Sequence, residues 1–487
     1  MKKQDQLFFL IKSLSKKEKN NFRKRNSSNK NLIKLFDAID SQEFYDVNQI
    51  KELFKNTKFI KQLHVTKNYL IKEILSSLRQ DNSSISVSMK LNNLLTEIEL
   101  LFKRELFDQC LFQIKKAEIL ANNYEKFNYS ILILDWKRKL YLHQKNIFKN
   151  RSEFCEIISE QNENVKFVEN ELEYWNLILN QFEYFGKSEN EKGHFFSNPL
   201  LKEEKNARSI RAKTNYYHIH YSNAVTSNNP QNALENLNKL IKLLEDLPLR
   251  IIEDPSSYIT TLNNKVSLLL SLKRYDQIPI TLELIRDIPN KYNLLDKEKI
   301  SVRLNLRTYN VELEMYRDIK EFLNAEKLII TIEEFLSKNQ KSITDSYRVL
   351  FYYQFAYIYF MLGNYNKSLI WTNTLLQNDL AKVRDDVYTY SRFLNLMIHF
   401  ELGNNIVLKY AVDATRKHFR KKRNLLNFEK VLLNFFSKIS MARSDLHKSL
   451  FIKLKENLFA ATEEKKKLDV LDYIDFEEWI TKNLNEF

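Results

Sequence analysis

The sequence predicts an all-α protein, and three observations carry that expectation. Only 4 Gly and 6 Pro occur in 487 residues, too few for the tight turns that an all-β or α/β fold requires. Apolar residues recur at helical period, so that Tyr352, Phe355 and Tyr359 fall on one face at i, i+3 and i+7. Turn markers also recur, near residues 105, 228, 273, 363 and 403. Adjacent markers lie about 40 to 45 residues apart, and the wider gaps are near multiples of that.

The clearest unit spans 352–376. After its aromatic face come Ala356 and Ser368, small where two helices would cross, and Gly363 at the turn, where a left-handed backbone is tolerated. Tyr365 then re-enters to cover the end of the hairpin. Fainter copies run through Leu94–Ala117, Tyr217–Ile241, Leu262–Ile285 and 392–415. This order of residues resembles a tetratricopeptide (TPR) repeat, although the spacing is longer than that family's roughly 34 residues. Thr372 and Leu375 also stand where the family favours an aromatic residue and an alanine. The resemblance implies a right-handed α-solenoid of stacked helical hairpins over residues 85–460. Such a stack offers a concave groove for a peptide or extended protein segment. In the family, partner contacts come from outward positions on the first helix of each hairpin. Carried over, these are Asn215, His218 and Ser222, then Asn263 and Ser267, then Tyr353 and Tyr357.

The 33 Phe and 25 Tyr read as packing between helices. Cys110 and Cys155 can build no disulfide framework and lack metal-ligand spacing, so a reducing compartment is expected. The apolar run Leu7–Ile11 is too short for a signal core, and no stretch reaches the roughly 20 apolar residues of a membrane span. A cytoplasmic protein without a membrane partner is the expectation.

Charge is unevenly spread. Residues 1–80 hold 18 Lys and Arg against 8 Asp and Glu, supplying +10 of the chain's +15. They are expected to form a separate basic domain, with helices over 32–39, 47–54 and 66–78. The last would bury Tyr69, Leu70, Ile74 and Leu78. The second and third loosely resemble a helix-turn-helix, with the turn at His64 and Val65. Thr66, Lys67, Asn68 and Lys72 would then face base edges, while Lys16, Lys17, Lys19, Arg23, Lys24 and Arg25 hold phosphates. The alternative is a helical cap on the first hairpin. A second basic run, Arg416–Arg423, reads as a solvated helix end. Residues 461–487 form an acidic final segment carrying Asp469, Asp472, Asp475, Glu477 and Glu478. Leu468, Leu471, Ile474, Trp479 and Ile480 lie on its apolar side, so it is expected to dock as a cap.

Gly186, Gly193 and Asn198–Pro199 place a joint near 186–200. The repeats thus divide into arrays over 85–186 and 200–460. Asn229–Pro230, Asp254–Pro255 and Ile288–Pro289 read as turns between helices. Pro279 falls early in a helix, where its missing N–H costs little.

No sequence pattern announces a reaction. Glycine-rich phosphate loops, nucleophile elbows and His-Glu-x-x-His pairs are all missing from the sequence. His218 and His220 would point about 200° apart on a helix and cannot share a metal. Arg211 and His218 loosely resemble the Arg-x4-6-His signature of HEPN-type RNases, which cut RNA with that pair. A scaffold without cofactor or metal is the preferred expectation. A peptide-responsive nucleic-acid-binding regulator, reading through residues 1–80, is the alternative.

Overall fold

The computed structural model describes residues 6–81, 86–143, 151–184, 195–294, 297–377, 384–422, 425–461 and 473–486. Among the described residues there are 24 α-helices and no strand. The chain divides into two compact units, Met1–Tyr258 and Ile259–Phe487.

In the first unit, α1 (Gln6–Ser13), α2 (Lys16–Arg25), α3 (Lys30–Ser41), α4 (Val47–Leu53) and α5 (Leu63–Asp81) close around a core of their own. Leu7, Ile11, Phe22, Phe36, Ile39, Leu70 and Ile74 are buried in it. Ser15 and Glu18 start α2 with a reciprocal capping box. His64 and Val65 lie inside α5, preceded by a 3-10 turn over Lys58–Gln62, so the expected turn before Thr66 does not form there. Tyr69, expected to be buried, is exposed, because the inward stripe of α5 runs through Leu63, Leu70 and Ile74.

Four longer helices follow: α6 (Val87–Phe102), α7 (Phe107–Asn123), α8 (Phe127–His143) and α9 (Arg151–Tyr184), each packed on the next. After them come α10 (Pro199–Lys202), α11 (Ile210–Thr226), α12 (Pro230–Glu245) and α13 (Pro248–Glu253). Packing of α9 on α11 bridges the region where a joint was expected. Tyr174 Oη donates to the Leu200 carbonyl at 2.6 Å, and Gln181 Nε2 to that of Ile219 at 2.9 Å. Gly186 and Gly193 lie outside the described residues. The compact division instead falls near the start of α14 (Pro255–Ser271).

The second unit continues with α15 (Ile278–Lys291), α16 (Lys297–Asp318), α17 (Phe322–Lys338), α18 (Asp345–Met361) and α19 (Tyr365–Gln377). It ends with α20 (Asp385–Glu401), α21 (Asn405–Lys422), α22 (Asn427–Ile439), α23 (His447–Ala461) and α24 (Phe476–Glu486). From α15 onward each helix packs on its successor. In addition α16 touches α18, and α18 touches α20, so these three form a row of their own.

One closure recurs at the hairpin turns. Glu105, Asn228, Lys273, Lys320, Gly363 and Gly403 all have positive φ, from 52° to 74°. The next residue's amide then reaches back five positions, as in Asn229 to the Ala224 carbonyl, Glu321 to that of Tyr316 and Asn364 to that of Tyr359. This 6→1 bond satisfies a carbonyl that the helix end would otherwise leave open. Among these six, those from Asn228 onward are spaced 45, 47, 43 and 40 residues, and Glu125 and Asn293 close two intervening turns in the same way. Lys320 fills the wide gap between 273 and 363. It carries no compositional mark, because a lysine holds the left-handed conformation there.

Packing inside the clearest hairpin follows its residue sizes. Ser368 Oγ donates to the Ala356 carbonyl at 2.6 Å, a contact that any larger pair at this crossing would prevent. Tyr352 and Phe355 both lie against Trp371, with ring centroids 5.0 and 5.1 Å apart. Asn229 caps α12 and Pro230 occupies its first turn. Pro279 likewise sits in the first turn of α15. Pro289 differs from expectation: it lies inside α15 near the end, and the helix runs on to Lys291 without the one N–H bond that a proline removes.

Candidate functional site

The residues 473–486 organise the site. This segment lies against α16, α18, α20, α22 and α23, and its first three residues are held largely through their backbone. The Tyr473 carbonyl accepts from Tyr353 Oη at 2.8 Å and from Arg317 Nη2 at 3.1 Å. The Asp475 amide donates to Tyr357 Oη at 3.3 Å. Arg317 also stacks its guanidinium 4.4 Å from the Tyr357 ring centroid. The Tyr473 ring stacks on Tyr390 at 4.3 Å, and its hydroxyl donates to Asp386 at 2.8 Å.

Beyond this backbone clamp the contacts depend on side chains. Asp475 caps α24 by accepting from the Glu478 amide at 2.9 Å. Lys320 sits 2.9 Å from Glu478 and 4.0 Å from Asp475. Trp479 is 2% exposed, nested among Phe400, Phe435, Phe436 and Phe451. Its Nε1 donates to Glu401 at 2.6 Å, and Asn483 Nδ2 donates to the same oxygen at 3.1 Å. Ile474, Phe476 and Ile480 are buried beside it. Lys482 reaches the Tyr365 hydroxyl at 2.8 Å.

A cavity of about 750 Å³ adjoins the clamp. Its walls include Asn310, Glu314, Arg317, Lys320, Gln354, Arg384, Tyr473 and Glu478. Along one wall Gln354 Nε2 donates to Asn310 Oδ1 at 2.7 Å, and Asn310 Nδ2 donates to Glu314 at 2.8 Å. Burial raises the Glu314 carboxyl above its usual value, although the bond from Asn310 pulls it the other way. The hydrogen bond from Arg384 holds Asp386 well below the carboxylate range, with Tyr473 adding to it. Burial pushes the phenols of Tyr353 and Tyr357 up, so both hydroxyls keep their protons and serve as hydrogen-bonding groups.

The seven residues expected to contact a partner are divided between the units. Tyr353 and Tyr357 lie in the second and are 1% and 4% exposed, rather than facing outward. The segment 473–475 covers them. Asn263 turns its amide to the Ile259 carbonyl, at 2.7 Å, and Ser267 bonds back to the Asn263 carbonyl at 3.1 Å. Both side chains thus serve their own helix. In the first unit Asn215 is buried, contrary to its expected outward position, because α11 is packed on both α9 and α12. Ser222 is half-buried in the same helix. His218 is half-buried, and burial lowers its pKa. Arg211 is exposed, with Glu171 3.9 Å away.

In the basic N-terminal cluster, Lys19 and Arg23 pair with Asp40, Arg23 also with Asp37, and Arg25 with Asp81. Lys16, Lys17 and Lys24 are exposed. Thr66 bonds back to the Gln62 carbonyl, and Lys67 reaches the Tyr45 hydroxyl. Asn68 lies 3.4 Å from His64, and Lys72 is exposed. The run from Arg416 ends α21, as a solvated helix end would, with Lys417 and Arg420 exposed; Arg423 lies outside the described residues. So do Leu468, Asp469, Leu471 and Asp472. Among the described residues no cluster of His, Cys, Asp or Glu could hold a metal ion. None of the described helices is long and apolar enough to cross a membrane.

Sequence reasoning missed Arg317, Lys320 and Glu401. Arg317 and Glu401 are ordinary surface-type residues in a helical pattern and Lys320 is a turn residue, and only the return of residues 473–486 brings the three into one site. No protein-family model matches the chain, and no curated protein matches it.

Proposed function

We propose that this chain is a non-catalytic helical-repeat scaffold that binds an extended peptide segment along the row formed by α16, α18 and α20. In this reading the hairpins are TPR-like and stack into a right-handed solenoid, the row lines its concave groove, and the protein works in the cytoplasm. One observation carries the reading: the row already holds a non-helical segment, residues 473–475, by its main chain. Tyr353 and Arg317 both donate to the Tyr473 carbonyl, and Tyr357 accepts from the Asp475 amide. Contacts of this kind grip any extended peptide, because every residue offers the same carbonyl and amide. The phenols suit the task, being rigid, large and tipped with a polar group.

The test is capture of arrayed 14-residue peptides by the full-length protein carrying Tyr473→Ala, which loosens the segment that otherwise occupies the face, repeated with Arg317→Ala, Tyr353→Phe and Tyr357→Phe added. Binding should weaken about 2- to 13-fold for each lost hydrogen bond of about 0.5–1.5 kcal/mol. Capture that is indifferent to all three substitutions would refute the reading.

A further inference from the structure

We propose that residues 473–486 stand in for the true partner of this face. That partner is an acidic, aromatic segment of another protein, with an aromatic residue, an Asp two places on and a Trp four beyond that, and it docks by displacing them. The inference rests on the peptide-binding reading above and adds the partner's chemistry and the route by which it enters.

The contacts separate into a part that reads no sequence and a part that does. The bonds to the Tyr473 carbonyl and the Asp475 amide would accept any residue at those positions. Selection comes from three further features. Tyr390 offers a flat ring 4.3 Å from the Tyr473 ring, and Asp386 accepts its hydroxyl proton, which together favour tyrosine. Lys320 faces both Asp475 and Glu478, which favours acid at those two places. The nest of Phe400, Phe435, Phe436 and Phe451 takes an indole, and Glu401 at its edge meets the indole N–H. Phenylalanine would fill that nest but leave Glu401 with one donor fewer.

The same arrangement makes the face hard to reach. A segment joined to its own binding face competes at an effective concentration on the order of millimolar. A free peptide of equal intrinsic affinity therefore binds weakly until the resident segment is loosened. A natural partner must match the three selective features and improve on at least one.

The experiment uses the full chain and a fluorescein-labelled peptide of residues 473–486, with binding read by anisotropy. Two variants loosen the resident copy: Trp479→Ala empties the nest, and Tyr473→Ala removes the stacked ring while leaving the buried helix intact. Tyr473→Ala keeps the test valid if the larger deletion fails to fold. The peptide should bind at least ten-fold tighter to the variants than to the wild-type chain, and a scrambled peptide of the same composition at least ten-fold weaker. Equal affinity for wild type and both variants would overturn displacement. No binding to either variant, with array capture intact, would overturn the partner's chemistry. A concentration-dependent wild-type dimer that Tyr473→Ala dissolves would overturn the proposal in favour of segment exchange between copies. The underlying peptide-binding reading is reached only by the array, through absent capture or capture indifferent to the substitutions at Arg317, Tyr353 and Tyr357.

Discussion

Replacing Trp479 with alanine tests whether α24 is a docked element or an inseparable part of the core. The indole is 2% exposed and touches four phenylalanines from α20, α22 and α23. Deleting a side chain of this size from a packed site costs about 3–5 kcal/mol. The lost bond to Glu401 adds less, since Asn483 still donates to the same oxygen. Trp479→Phe keeps most of the apolar contact and loses the N–H, for about 1 kcal/mol. If the segment docks as a unit, this loss falls on its own opening equilibrium. Amide hydrogen exchange within 476–486 should then accelerate about 150- to 5,000-fold in the alanine variant, because each 1.36 kcal/mol is a factor of ten. The phenylalanine variant should accelerate it about five-fold. Amides in α18 and α20 should change far less. Mass spectrometry of peptic fragments reads both regions in one sample. Equal acceleration across α18, α20 and α24 would refute the docked-element reasoning, and so would unchanged exchange in α24.

Three further outcomes follow from local geometry. Gly363→Ala should destabilise by about 1–2 kcal/mol, the cost of a left-handed L-residue alone, because a Cβ at that turn meets nothing within 4 Å; urea unfolding that shows a loss above about 4 kcal/mol would mean that the space is filled. Ala356→Leu should cost about 1–3 kcal/mol by overpacking the crossing where Ser368 Oγ meets the Ala356 carbonyl, and a neutral effect would show that the helices can separate there. His218, His220 and His399 are each shifted below 6.5 by burial, so the unfolded chain binds more protons than the folded one between the folded values and 6.5. Their contribution is present above pH 6.5 and is lost as pH falls. Urea midpoints should drop from pH 7.5 to 5.5, and His218→Gln should flatten that slope; an unchanged slope would show that His218 stays uncoupled from folding.

Much of the local architecture could be read from the residues in order. The turns near 105, 228, 273, 363 and 403 all coincide with left-handed residues, and the small pair Ala356 and Ser368 meets at a helix crossing. Asn229–Pro230 and Pro279 mark helix starts because capping and a missing N–H are properties of a few adjacent residues. Lys320 and Pro289 escaped for the same reason in reverse. At Lys320, as at Lys273, a lysine occupies the conformation that glycine normally marks, and at Pro289 the helix continues past a proline that local rules place in a turn.

The candidate site was much less legible. Tyr353 and Tyr357 could be named, since aromatic residues at helical spacing stand out, but not the direction in which they face. The final segment showed its apolar and acidic sides, Trp479 and Ile480 against Asp475, Glu477 and Glu478, without showing where it lands. By itself the amino-acid order determined a chain of helices, most of their turns and the residues able to pack between them, because these depend on neighbours within one or two helical turns. Only the tertiary structure decided that residues more than 100 positions apart, Tyr353 and Tyr473, share a hydrogen bond. Nothing in periodicity encodes which distant backbone will cover a given face. That choice belongs to the packing of the whole unit, where burying Trp479 and satisfying the carbonyl of Tyr473 must be achieved together.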